Sequence, residues 1–218
     1  IPVQPHHGHA AAVRAEHHLT GPTLAVVCDG VGYGDDGTAW GGELLSVTGT
    51  GFHRQAHLRP MSLIGGDVAA TDIRRIGLAL LQQALGAEFA DHPLSARLVP
   101  NDQERSMFVH LLKRRLRCPL TTAAGRLFDG VAAILGVADC NAYPAQAPMQ
   151  LESIAARAAW PDAPEPQIRL HLPQPDEDQC LVLDTAVIIR QLLKLMETGT
   201  SVGACAAWFH GALARMWA

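Results

Sequence analysis

The sequence predicts a mixed α/β (α+β) fold, with strands gathered in the first third of the chain and helices filling the rest. Three observations carry that prediction. An apolar, β-branched run at residues 24–28 ends in Asp29 and meets six glycines in thirteen residues: Gly30, Gly32, Gly34, Gly37, Gly41 and Gly42. Two alternating segments, 43–48 and 52–58, flank Gly49-Thr50-Gly51 and read as a hairpin. After Asp72 the apolar residues recur mostly at helical spacing. With 218 residues, 48% hydrophobic and 17% charged, the chain has the size and composition of one globular domain, or of one large domain with a small insertion. A net charge of −4 argues against non-specific nucleic-acid binding. No apolar run approaches the roughly 18 residues of a membrane span, and no signal peptide is visible. The five cysteines are scattered, odd in number and lack a CxxC pair. That usage fits a reducing compartment such as the cytoplasm.

The elements follow in order. Residues 1–5 read as a strand tail or loop. Residues 6–19 (HHGHAAAVRAEHHL) are alanine-rich and predict a helix, with Pro5 tolerated at its start and Thr20-Gly21-Pro22 stopping it. The strand at 24–28 reads as buried and feeds the glycine-rich turn. Gly65-Gly66-Asp67 marks a further turn. Residues 72–85 predict a helix with Ile76, Leu80 and Leu81 on one side, closed by Gly86. Residues 89–100 carry no clear pattern. Asn101-Asp102 can cap a helix running to Leu116, on which Lys113-Arg114-Arg115 reads as a solvated face. Residues 120–136 predict a helix with an apolar stripe of Leu127, Phe128, Val131, Ala132 and Leu135, and 149–159 a shorter one. Five prolines at 161, 164, 166, 173 and 175 make 160–177 a rigid loop holding at most one strand, 167–172. Asp184 and Ser201 cap the last two helices, with Gly199 between them. No internal repeat is present, and the sheet needs an edge completed from elsewhere.

Two features carry chemistry. A strand ending in Asp29 before a glycine-rich turn can bring backbone N–H groups up to a phosphate, with the carboxylate holding a metal ion against it. An ordinary hairpin with Gly/Asp turns is the plain alternative, and no Walker-type lysine follows. The second feature is histidine: His6, His7, His9, His17 and His18 are five of the eleven in the chain. On a helix His6 and His9 share a face, and with Asp29 nearby they form a candidate site for a divalent metal. The alternative is a polar, exposed helix face, which is the reading for His17 and His18.

Longer stretches resemble a known family. VQPHHGHAAAVRAEH, LAVVCDGVGYGDDGTAWGGE, HLRPMSLIGGDVAA, TTAAGRLFDGVAAILG, AYPAQAPMQLESIAARA and SVGACAAWFHGALARMWA are similar, in that order, to the carbamoyltransferase (Kae/TsaD-like) module of HypF-type hydrogenase maturation proteins. The resemblance covers nearly the whole chain. It implies an actin-like (sugar kinase/Hsp70-like) ATPase fold, mainly its second half, as one domain over 1–218 that is incomplete at both ends, with a helical insertion at roughly 70–120. It implies transfer of a carbamoyl group from carbamoyl adenylate, made from carbamoyl phosphate and ATP, to the C-terminal cysteine thiol of a HypE-like acceptor. A divalent metal (Mg, Fe or Zn) would assist. Membrane and nucleic acid are not implied as partners, and the acidic balance argues against a tRNA acceptor.

The resemblance also implies roles. His9 would be a metal ligand, joined by Asp29 and, by substitution, His6. Asp29, Gly30, Gly32, Tyr33, Gly34, Gly41, Gly42 and Gly125 would surround the nucleotide phosphates, and Asp129 would hold the ribose hydroxyls. Asp67 and Arg75 would contact substrate. The chain departs from the pattern at Pro5, where the first histidine of the metal pair is expected. It departs again at Pro144 and Ala145, where a carboxylate and a glycine are expected. These departures motivate the alternative of a degenerate homologue that acts as a binding or scaffold partner in hydrogenase maturation.

Overall fold

A computed structural model describes residues 3–172 and 180–218. Helix α1 (Pro5–Glu16) begins with proline at its first turn, where the missing N–H costs nothing, and with the Gln4 side chain capping the His7 N–H. Strands β1 (Thr23–Tyr33) and β2 (Ala39–Thr48) form a long antiparallel ribbon, and β3 (Gly51–Leu58) continues it through Gly49, whose φ is +57°. Short strands β4 (Met61–Ser62) and β5 (Leu120–Thr121) extend one side, and β6 (Leu170–His171) and β7 (Leu181–Leu183) the other. The seven strands are ordered β4-β5-β2-β3-β7-β6, with β1 pairing β2 beside that path. The fold is thus mixed α/β, as the sequence predicts.

The glycine-rich stretch departs from expectation. It is not a loop after a buried strand: β1 runs on through Gly30 and Gly32 to Tyr33, with a register shift between Cys28 and Gly32. Nor is β1 buried. It pairs with β2 alone among the described strands, and Leu24 and Val26 are exposed. The apolar run that reads as a core strand is an edge strand beside α1.

The helices pack against the sheet. The helix expected at 72–85 is α3 (Arg74–Leu85); a four-residue helix, α2 (Val68–Thr71), precedes it and ends at Asp72, which takes a non-helical conformation and whose carboxylate grips Arg74 and Arg75. The unassigned stretch holds a 3₁₀ turn (Gly86–Asp91) and α4 (Pro93–Leu98), which starts at a proline and is capped by His92. Helix α5 (Asp102–Arg114) is capped by Asn101. Residues 120–136 divide into β5 and α6 (Ala124–Leu135). Helix α7 (Gln146–Ala155) starts three residues earlier than its apolar spacing implies. Helices α8 (Thr185–Glu197) and α9 (Val202–Trp217) carry the expected caps Asp184 and Ser201. Strand β7 has no counterpart in the sequence reading, and the predicted strand at 167–172 shrinks to β6. Ile1, Pro2, Pro173 and Pro175 lie outside the described residues.

The main core joins α3, α6, α8 and α9 around Ile76, Leu80, Val131, Ile189, Trp208 and Phe209. The helices between residues 68 and 114 share this core. A smaller cluster of Ala10, Val27, Leu45 and Val47 seats α1 on the ribbon. Among the described residues no helix is long and apolar enough to cross a membrane.

Candidate functional site

Asp29 is where the separate pieces meet. Helix α1 turns His6 inward, fully buried, and leaves His9 mostly exposed one turn later. Their Nε2 atoms lie 3.6 and 3.7 Å from Asp29 Oδ2. Gly32 has no side chain because the His6 ring occupies the space a Cβ would take. Gln4 fixes that ring: its Oε1 accepts from His7 N–H, so its Nε2 donates to His6 Nδ1 at 3.0 Å and to the Tyr33 carbonyl at 3.1 Å. An accepting Nδ1 places the neutral ring's proton on Nε2. At 3.6 Å that N–H is too far from Asp29 for a hydrogen bond, and His6 Nε2 is a buried polar atom without a partner. Burial lowers the His6 pKa against the opposing pull of Glu43 and Asp29, so the neutral imidazole is favoured.

This set fits a divalent cation in part. Asp29 Oδ2 and His9 Nε2 are available, since the other Asp29 oxygen accepts from Gly30 N–H at 2.6 Å. His6 can join only if its proton moves to Nδ1. Among the described residues no three His, Cys, Asp or Glu side chains close into a ready-made ligand cluster. Pro5 stands four residues before His9, where a second imidazole on that face of α1 would come from.

A cavity of about 520 Å³ opens beside Asp29, lined by Gly30, Asp67, Arg126, Asn141, Tyr143 and Ala145 among others. That volume suits a small-molecule ligand. One wall is the N-terminus of α6, which carries no side-chain cap. It comes this close because residue 125 is glycine: a Cβ there would sit 2.8 Å from Gly30 Cα. Arg126 lies in the first turn of α6, its Nη2 3.0 Å from Asp129 Oδ2, and its buried Nε has no partner. Asp129 is fully buried behind Arg126 and Asn141, accepting from Asn141 Nδ2 at 2.8 Å. Burial pushes its carboxyl up, against Arg126 and Asn141. Asn141 Oδ1 accepts from Ala147 N–H and so ties α7 to the same wall.

A third layer escaped the sequence reading. Glu43 is fully buried and accepts from the Gly41 and Gly42 N–H groups, from Arg54 Nε at 2.7 Å and from Thr122 Oγ1. Arg54 also reaches Asp36 and Thr122, and its guanidinium lies 3.9 Å from the centre of the Trp40 ring. Trp40 Nε1 donates to Asp36 Oδ1. The network joins β2, β3, the 34–38 turn and the approach to α6. The local signal is WGGE, an acid beside two glycines; its arginine partner lies eleven residues on, in the segment whose alternation predicts a hairpin strand.

The expected site residues separate accordingly. Asp29, Gly30 and Asp67 line the cavity, and His6, His9 and Gly32 surround Asp29 on its other side. Tyr33 points to solvent, and Gly34 packs on Trp40 and Asp36. Gly41 and Gly42 back the site: Cβ atoms there would meet the Asp29 carbonyl, Ala123 and Leu58. Gly125 permits the helix approach. Asp129 holds Arg126 and Asn141 from behind. Arg75 is away from the cavity, bound to Asp72 and lying over Phe108. Arg126 and Tyr143, which lie within the family-like segments but have no role assigned from sequence, also line the cavity, as does Asn141, which the sequence does not mark.

The chain is similar to known proteins over most of its length. Residues 25–218 match the family model described as the carbamoyltransferase, Kae1-like domain, second subdomain. The chain is 38% identical over 216 residues to a carbamoyltransferase HypF homolog of Cupriavidus necator, covering 98% of this chain and 53% of the relative. It is 42% identical over 166 residues to carbamoyltransferase HypF2 of the same organism, covering 76% of this chain and 20% of that one. Full-length HypF solved in a phosphate- and nucleotide-bound form superposes with a TM-score of 0.85 at 28% identity, over the whole of this chain and 32% of that one. The chain thus spans about half, or less, of the proteins it matches.

Proposed function

Because the chain belongs to the HypF carbamoyltransferase family, through the second subdomain of its Kae1-like domain, we propose that it forms one side of a carbamoyl-transfer site in hydrogenase maturation, acting in the cytoplasm. The donor is carbamoyl adenylate, made from carbamoyl phosphate and ATP. The acceptor is the C-terminal cysteine thiol of a HypE-like protein, and the scaffold is of the actin-like ATPase type. The observation that carries this reading is the cavity between Asp29-Gly30 and the α6 N-terminus, with a charged Arg126 in its wall. The helix N-terminus and Arg126 favour a phosphate there, and the nucleotide-bound HypF supports that choice of ligand. Asn141 and Tyr143 then face the sugar, with Asp129 holding Asn141 in place. In the transfer, the acceptor thiolate attacks the carbamoyl carbon, the bond to the phosphate oxygen breaks, and AMP leaves as the thiocarbamate forms. A divalent cation (Mg, Fe or Zn) held by Asp29 and His9, with His6, would offset the phosphate charge.

Calorimetric titration of AMP, with and without a divalent cation, tests the site. Saturable AMP binding that is lost in Arg126→Ala supports the reading. No AMP binding by the wild-type chain, alone and within a full-length HypF into which it has been exchanged, sinks it.

A second reading is a homologue that keeps the fold and acts as a scaffold in maturation. Pro5 and Ala145 favour it: the first removes an imidazole, and the second places a methyl on the cavity wall at φ +62°. Pro5→His puts two imidazoles four residues apart on one helix face. A gain of at least tenfold in cobalt affinity would identify Pro5 as the cause of weak binding and favour the scaffold reading. Cobalt affinity that is already high and unmoved by the substitution would end it.

A further inference from the structure

The segment from Lys113 to Arg117 (KRRLR) is absorbed by none of this. It holds four of the seventeen lysines and arginines of an otherwise acidic chain. All four side chains are exposed, and none has an ion-pair partner among the described residues. Lys113 and Arg114 close the last turn of α5, where a cation is favourable toward the helix dipole, so these two alone prove little. Arg115 and Arg117 are different. Their φ values are +53° and +50°, a region that a side-chain-bearing residue rarely adopts and that glycine occupies freely. Two strained arginines in three residues mark a place where the side chain is retained against the backbone preference.

One of the four cations, Arg115, lines a second cavity. About 430 Å³ in volume, it lies between the C-terminal ends of α3 and α5 and the β4–β5 edge. Arg59, Ser62, Gln82, Gln83 and Arg115 line it, together with the apolar Leu112 and Leu120. One Arg59 nitrogen binds Asp184, and the Arg59 side chain is still over a third exposed. Leu116 and Leu120 are exposed beside the four cations. The nucleotide cavity shares no residue with this one.

We propose that this basic rim and its cavity dock a carboxylate-rich peptide segment of a partner protein. Guanidinium groups on a rigid frame recognise carboxylates by paired N–H···O bonds, and the exposed leucines suit apolar residues interspersed among the acids. Cations clustered beside one pocket, with no extended basic track among the described residues, favour a short acidic peptide over nucleic acid. The docking surface stands independently of the transfer site.

The test uses a fluorescein-labelled acidic peptide, six glutamates with two leucines, and follows its anisotropy on titration with the 218-residue chain at low and high salt. Saturable binding is expected, weakened at least tenfold in the Arg115→Gly, Arg117→Gly double variant. That variant should unfold at a higher denaturant concentration than the wild type, because glycine relieves both strained positions. A variant that binds less while folding better cannot be explained by damage to the fold. A second variant, Lys113→Gln with Arg114→Gln, should lower affinity, with only the small loss of stability that follows from removing two cations from the α5 C-terminus. Peptide affinity equal to wild type in the glycine variant overturns the proposal, as does tighter binding of bulk tRNA than of the peptide.

Discussion

Replacing Ala145 with glycine should make the protein more stable, against the usual direction for an Ala→Gly change. Ala145 sits at φ +62°, ψ +17°, at the start of α7 and on the wall of the cavity beside Asp29. A left-handed conformation costs a non-glycine residue about 1–2 kcal/mol. Alanine is also a poorer helix N-cap than glycine, and here the cap makes no side-chain hydrogen bond. Against these gains stands the extra freedom of glycine in the unfolded chain, about 0.4–1 kcal/mol. The balance is a gain of about 0.5–1 kcal/mol. For a domain of this size that raises Tm by about 1–4 °C. Ala147, buried in the same helix with helical geometry, supplies the control: Ala147→Gly should lose about 1 kcal/mol or more. Urea unfolding and calorimetric melting read both. AMP titration reads the second consequence, since removing the methyl widens the cavity and should leave affinity unchanged or raise it. A Tm for Ala145→Gly at or below wild type would refute the reasoning from backbone strain.

Three further outcomes are expected. Arg54→Ala leaves Glu43 charged and buried without its cation, which costs about 3–5 kcal/mol for such a pair; urea denaturation measures it, and a loss under 1 kcal/mol would mean the 34–43 ribbon is held by its backbone alone. Gly125→Ala drives a methyl to 2.8 Å from Gly30 Cα, so α6 must back away at a cost of about 1–3 kcal/mol, and AMP affinity should fall with it; unchanged affinity would show that the α6 N-terminus does not contact the nucleotide. Burial alone would raise the Asp184 carboxyl, but hydrogen bonds from His171 and Arg59 outweigh it and hold the pKa below the ordinary range. A depressed carboxylate gives stability that is present above its unfolded pKa of about 3.9 and is lost as pH falls through the lower folded value. Denaturation midpoints measured from pH 5.5 down to 2.5 should therefore fall less steeply in Asp184→Asn than in wild type, and parallel curves would contradict the assignment.

Local sequence was enough for the elements that terminate themselves. Asn101, Asp184 and Ser201 cap their helices through their own side chains, Gly136 ends α6 at φ +74°, and Gly86 closes α3. The sequence also marked Asp29 and Gly30, because an acid before a glycine-rich stretch is a local pattern, while Asp67 was implied by the family resemblance. Which face of a strand is covered is not local. Residues 24–28 are as apolar as a core strand, and only the tertiary structure decides that β1 lies at an edge, since burial depends on what packs against it. The same holds for β7, three residues long and defined by pairing with β3 more than a hundred residues earlier. The buried polar groups divide in the same way. His6 and His9 are marked by their spacing, but the inward turn of one and the exposure of the other follow from where α1 rests on the ribbon. Arg54 meets Glu43, and Arg126 and Asn141 share Asp129, through pairings set by sheet register and helix packing. A residue's type and immediate neighbours fix its preferred backbone and its available chemistry; the partner that makes that chemistry usable is chosen by long-range packing.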